Sequence, residues 1–219
     1  MVRSFPNQIL LKPLFNTFFM FSALEGTNAV MFARDVVESY VKDAPLPKID
    51  KTSRFHQKLG VFVTLHTYPD HMLRGCIGIP EPIMPLNQAI IEAGTSVTHD
   101  PRFPPLQENE LDSVIVEITL LTKPMPIVSD DPKNLLKKII IGKDGLIIRY
   151  RGQSGLLLPQ VPFEQGWDTE DFLMHLCLKA GLAPDAWFEK DAVISSFQGQ
   201  IFTEIKPKGP IEEKITDDL

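Results

Sequence analysis

In Leu73-Arg74-Gly75-Cys76-Ile77-Gly78 a guanidinium and a thiol stand two positions apart among glycines, in a stretch that otherwise reads as a β-strand. Strand periodicity sends Arg74, Cys76 and Gly78 to one face, and Leu73, Ile77 and Ile79 to the other. Two strand rises separate the Arg74 and Cys76 positions by roughly 7 Å. Glycine inside a strand weakens it and marks a close approach of ligand or backbone, so Gly75 and Gly78 are candidate ligand-binding positions. A thiolate is a nucleophile and a redox group, and an arginine fork matches a carboxylate or a phosphate. At that separation their attraction is roughly 0.6 kcal/mol in water and about 2.4 kcal/mol at an effective dielectric of 20. Burial favours the uncharged thiol and works against it. Arg74 alone therefore does not activate Cys76; a partly open cleft and a second group are needed. The competing reading is structural, with Cys76 a small buried hydrophobe and Arg74 paired to Asp100 or Glu117 because an unpaired buried charge is costly.

Two other stretches carry polar groups that a fold would have to explain. His99-Asp100-Pro101-Arg102-Phe103-Pro104-Pro105-Leu106 is stiffened by three prolines. It presents Asp100, Arg102 and Phe103 for recognition at low entropic cost, or packs Phe103 and Leu106 as a plain connection. Glu117 sits within the apolar run Ser113 to Thr122. An acid there is solvated, paired, or a general base if its pKa is raised. Five scattered histidines show no metal-ligand spacing. Gly142 and Gly145 follow a predicted helix, so they make no phosphate loop. Ser154 lacks the strand–turn–helix setting of a nucleophile elbow.

The elements that must position these groups follow from periodicity. A helix is expected over Asn28 to Lys42, capped by Thr27 or Asn28. Strands over Gly60–Thr67 and Met72–Ile79 form a hairpin with the six-residue motif on its second arm. A helix over Leu86–Thr98, a strand over Ser113–Thr122, and a helix opened by Asp131-Pro132 and closed by Gly142 come next. Leu146–Arg151 and Gly155–Leu158 read as a second hairpin, Asp168 or Thr169 caps a helix to Ala180, and Ala192–Ile205 supplies one strand or two. The polar tail after Lys206 is expected to fray. Helices mixed with hairpin-linked strands indicate an α+β fold with a mainly antiparallel sheet, and the prolines near Lys123-Pro124-Met125-Pro126 mark a subdomain boundary.

With 219 residues and 43% hydrophobic content the chain is long enough for a disulfide-free core. A net charge of -6 without a run of five basic residues weighs against nucleic acid and against a polybasic membrane patch. Two cysteines far apart indicate a reducing cytoplasm. In the first 26 residues Lys12 and Pro13 interrupt the apolar stretches, so neither a membrane span nor a signal peptide is favoured. A packed extension, or a true start at Met20, is the expectation.

The motif and the loop Asp100-Pro101-Arg102-Phe103-Pro104-Pro105-Leu106, with Glu110-Leu111, Ile141-Gly142-Lys143-Asp144-Gly145-Leu146 and Leu157-Leu158-Pro159-Gln160, resemble the AMMECR family from about Gly26 to Ile205. The resemblance implies one α+β domain of two unequal subdomains, with the motif facing a cleft between them. It implies no established reaction and a suggested role in basic cellular machinery, with RNA or DNA as suggested partners and Memo-type and radical-SAM proteins as associates of prokaryotic members; no cofactor is expected. Arg74, Gly75, Cys76, Gly78, Asp100, Arg102 and Phe103 fit the family pattern, whereas His66, His71 and His99 lie outside it. The expectation is a cytoplasmic enzyme or small-ligand-binding protein. Cys76 serves as nucleophile or redox thiol, Arg74 as anion clamp, and Asp100 or Glu117 as orienter or base. The alternative is a non-catalytic adaptor gripping a partner protein through the cleft and the Asp100–Leu106 loop.

Overall fold

Ser22 opens the first helix, α1 (Ala23–Val41), with a complete capping box: its hydroxyl accepts from the Glu25 amide, and the Glu25 carboxylate accepts from the Ser22 amide. The start lies five residues ahead of the expected one because this box outweighs Thr27 or Asn28 as a cap. The computed structural model describes residues 20–48 and 53–214. The readings made for the first nineteen residues lie outside the described ones.

The hairpin β1 (Val61–Thr67) and β2 (Leu73–Ile79) forms as expected, with the motif on β2. Helix α2 (Leu86–Ser96) follows, then the central strand β3 (Val114–Leu121). A short strand β4 (Met125–Pro126) leads to α3 (Pro132–Leu136), capped by Asp131. That helix stops well before Gly142. A second hairpin, β5 (Gly145–Tyr150) and β6 (Gln153–Leu157), is succeeded by α4 (Gln160–Gln165) and by α5 (Thr169–Lys179), which Asp168 caps. The chain ends in β7 (Val193–Phe197), β8 (Gly199–Glu204) and β9 (Ile211–Lys214). The expected fraying after Lys206 is corrected, because β9 pairs antiparallel with β8 and orders the tail to Lys214.

Two antiparallel sheets result, one in the order β2-β1-β3-β8-β9 and the other β4-β7-β5-β6, which makes the protein α+β. The stretch from Val193 to Glu204 is two strands belonging to different sheets. The chain changes sheet at Gln198, whose amide donates to the Thr122 hydroxyl at 2.9 Å. In the first sheet Val61, Val63 and Leu65 of β1 pair with Leu120, Ile118 and Val116 of β3, and all six are buried under α1 and α2. Each such side chain contributes roughly 1.5–3 kcal/mol on burial, so a one-residue slip that turned the row outward is strongly disfavoured. Arg34 of α1 anchors that helix through a buried, fully satisfied pair. It donates to both Glu204 oxygens and to the carbonyls of Leu111 and Val114. The second sheet packs Leu146, Ile148 and Ile194 against Phe172, Leu173 and Leu176. Its other face sets Ile147 and Phe197 against Leu121 and Phe62 of the first sheet. The alternate residues of β1 and β2 thus face away from the helices, and that face holds the candidate site.

Candidate functional site

β2 is an edge strand, and an unpaired edge needs cover. The Asp100 loop supplies it. The Cys76 amide donates to Asp100 Oδ2 at 2.8 Å, and Arg102 Nη2 donates to the Cys76 carbonyl at 3.1 Å. Both backbone groups of Cys76 therefore point away from β1. Its partner in register, Thr64, then forms a non-hydrogen-bonded cross-strand pair, the arrangement that brings side chains closest. The Thr64 hydroxyl donates to the Cys76 sulfur at 3.2 Å. Thr64 is buried and Cys76 half-buried, whereas Cys177 is fully buried.

Gly75 permits this arrangement. A Cβ at that position would stand 2.9 Å from the Val97 carbonyl oxygen, so a side chain would push the turn that leads into Asp100 off the strand. Gly78 has a parallel duty: a Cβ there would fall 2.1 Å from the Phe62 ring, which lies across β2 and joins the contact with the second sheet. The space at both expected ligand-contact glycines is occupied by the protein itself.

Asp100 is buried and accepts four hydrogen bonds, from the Cys76 amide and from the Arg102 amide, Nε and Nη2. The Arg102 contact, reinforced by the two amides, holds its carboxyl well below the usual carboxylate range against the opposing effect of burial. Arg102 is itself held above the ordinary arginine value by its contact with Asp100. With its side chain 54% exposed, Arg102 is the solvent-reached guanidinium bonded to the Cys76 backbone. Phe103 is half-buried, its ring centroid 5.6 Å from the Arg102 guanidinium carbon.

Arg74 goes elsewhere. The β1–β2 register slips between Leu65 and His66, which leaves Arg74 unpaired on a bulge. Its guanidinium grips Glu110 in a fork, Nε to Oε1 at 2.9 Å and Nη2 to Oε2 at 3.1 Å, and holds the Glu110 carboxyl below its ordinary value. The partner is Glu110, in place of the Asp100 or Glu117 that a structural pairing was expected to use. The strict alternation that set Arg74 beside Cys76 breaks at this bulge.

Glu117 lies in the same cross-strand row, opposite Thr64 on β3 with Cys76 one strand further on. Burial pushes its carboxyl up, but His66, 3.6 Å away, and Lys214 of β9 outweigh that, and the net displacement is downward. A raised value, which the general-base role requires, is the opposite of what this environment produces. Thr64 and Lys214 escaped the sequence reading. Thr64 had a signal, since the short turn between the strands sets the register; Lys214 had none, because its strand was read as tail.

The AMMECR1 family model matches residues 30–202. The chain belongs to the AMMECR1 family. Protein MJ0810 of Methanocaldococcus jannaschii is 54% identical over 191 residues, covering 87% of this chain and 95% of that protein. Protein MK0488 of Methanopyrus kandleri is 48% identical over 195 residues, covering 87% and 93%. The crystal structure of the uncharacterized protein PH0010 from Pyrococcus horikoshii is similar, with a TM-score of 0.68 at 45% identity, covering 86% of this chain and 96% of that one. In this AMMECR1-family chain the six-residue motif and the proline-rich loop form one structural unit: the loop grips the strand edge at the cysteine. No helix among the described residues is long and apolar enough to cross a membrane.

Proposed function

We propose that this AMMECR1-family protein is a cytoplasmic enzyme or small-ligand-binding protein whose reacting group is the Cys76 sulfur. The observation that carries the reading is the Thr64–Cys76 contact: a half-buried sulfur accepts a hydroxyl donor at 3.2 Å. The backbone beneath it is locked at its amide by Asp100 and at its carbonyl by Arg102. A fixed, reachable sulfur with one donor suits a nucleophilic or redox thiol. Arg102, rather than Arg74, is the solvent-exposed cation of the site, though it is ion-paired to Asp100. Asp100 and Arg102 neutralise each other, so their joint field at the sulfur is that of a dipole, and Thr64 becomes the activating neighbour. Protection from alkylation tests this. Small molecules separated from a cell extract by ultrafiltration should slow iodoacetamide labelling of Cys76. Protection by the protein fraction alone would contradict the reading.

A second reading, an adaptor gripping a partner protein through the cleft and the Asp100–Leu106 loop, draws on Arg102 of that loop, whose side chain is 54% exposed. In that case Cys76→Ser retains partner capture and Arg102→Ala weakens it.

A further inference from the structure

The geometry points to the groove between the start of α5 and the turn Ala186–Phe188 as a docking surface for a basic, apolar-anchored peptide segment of a partner protein. Asp168, Glu170 and Asp171 from the start of α5 and Asp185 from the approach to the turn line it. Trp187 and Phe188 line it too. The two aromatic residues have different duties. Trp187 is 6% exposed and belongs to the core of the second sheet, whereas Phe188 is 53% exposed. Their rings lie 3.7 Å apart between centroids with a 30° tilt, so the buried indole holds the phenyl ring as a fixed apolar shelf at the surface. A rigid exposed aromatic is the kind of anchor on which interfaces concentrate their affinity.

Charge decides what fits. Asp168 accepts from the amides of Glu170 and Asp171, and the positive end of α5 offsets part of its charge. Glu170, Asp171 and Asp185 are exposed and form no ion pair among the described residues. No lysine, arginine or histidine lines the groove. A lysine or arginine can lay its aliphatic stem on Phe188 and place its charge between the carboxylates. Nucleic acid, an anionic membrane and the same face of a second copy all bring like charge and are repelled. This surface lies on α5 and the turn that pack against the second sheet, and involves none of the groups around Cys76.

Fluorescence anisotropy on the full chain tests the assignment with labelled synthetic peptides of about twelve residues, one carrying four lysines around a single tryptophan. A version with serine in place of the tryptophan, and one with glutamates in place of the lysines, serve as probes of each contribution. The lysine–tryptophan peptide should bind saturably and lose affinity as salt rises. The Glu170→Lys/Asp171→Lys variant should weaken it about tenfold or more, and Phe188→Ser by about threefold or more. Phe188→Leu should retain it. Glu92→Lys, an exposed reversal on α2, should leave affinity unchanged. The proposal is overturned by absence of saturable binding, by equal weakening in the Glu92 variant, or by indifference to Phe188→Ser in protein whose circular dichroism matches that of the parent chain.

Discussion

Thr64 and Cys76 face each other across the β1–β2 hairpin as a non-hydrogen-bonded pair, with the Thr64 hydroxyl 3.2 Å from the sulfur. The closeness follows from the loop on the far side of β2. Asp100 and Arg102 take the outward-pointing amide and carbonyl of Cys76, and so fix which face of the pleat the thiol occupies. Motif and loop are separated by more than twenty residues in sequence and act as a single device.

Replacing Thr64 by valine removes the donor and keeps the shape. A neutral hydrogen bond contributes about 1 kcal/mol net, so Thr64→Val should slow iodoacetamide labelling of Cys76 roughly fivefold at neutral pH while thermal stability stays close to that of the parent. Labelling at an unchanged rate would remove Thr64 from the site.

Asp100→Asn should be strongly destabilising. The carboxylate is buried, and its bonds to Arg102 and to the Cys76 amide are charge-assisted; hydrogen bonds to charged groups contribute roughly 1.5–3 kcal/mol each. Because the folded carboxyl lies well below its ordinary value of 3.8, its stabilisation is fully present above that pH and is lost as pH falls below it. Denaturation followed between pH 6 and pH 2.5 should show a steeper acid loss for the parent chain than for Asp100→Asn. Parallel curves would contradict the assignment.

Arg74 and Glu110 behave as a structural pair on this account. Arg74→Ala and Glu110→Ala should each lower the unfolding free energy, and the double variant should cost less than their sum by about 1 kcal/mol. Labelling of Cys76 by the anionic reagent iodoacetate should be insensitive to Arg74→Ala and sensitive to Arg102→Ala. The reverse pattern would restore Arg74 as the anion clamp.

Gly78→Ala should destabilise by about 1–3 kcal/mol, the usual penalty of overpacking, since the added methyl meets the Phe62 ring. Phe62→Leu should recover part of that loss, as judged by urea midpoints. Full additivity of the two substitutions would show that the ring is not the obstacle.

Much of this fold is legible in the chain. The hairpin, the central strand and the Asp168 cap follow from alternation and capping chemistry, which act within a few residues. What escaped depends on distant partners. The bulge at Arg74 is set by the pairing of β1 with β2, so period-two counting placed its guanidinium beside the sulfur when it actually reaches Glu110. β9 looks polar and exposed because it is an edge strand, and only its pairing with β8 and the reach of Lys214 to Glu117 give it structure. For the site, Cys76 and the Asp100 loop were visible as unusual residues in stiff or glycine-rich settings. Their contact was not, because nothing local encodes that Gly75 leaves room for the Val97 carbonyl.

Alkylation resolved by mass spectrometry tests most directly whether Cys76 is a reachable, held sulfur. In the folded protein under limiting iodoacetamide, Cys76 should be labelled at least about tenfold faster than the fully buried Cys177, whose thiol is pushed up by burial. Equal rates for the two cysteines, or faster labelling of Cys177, would contradict it.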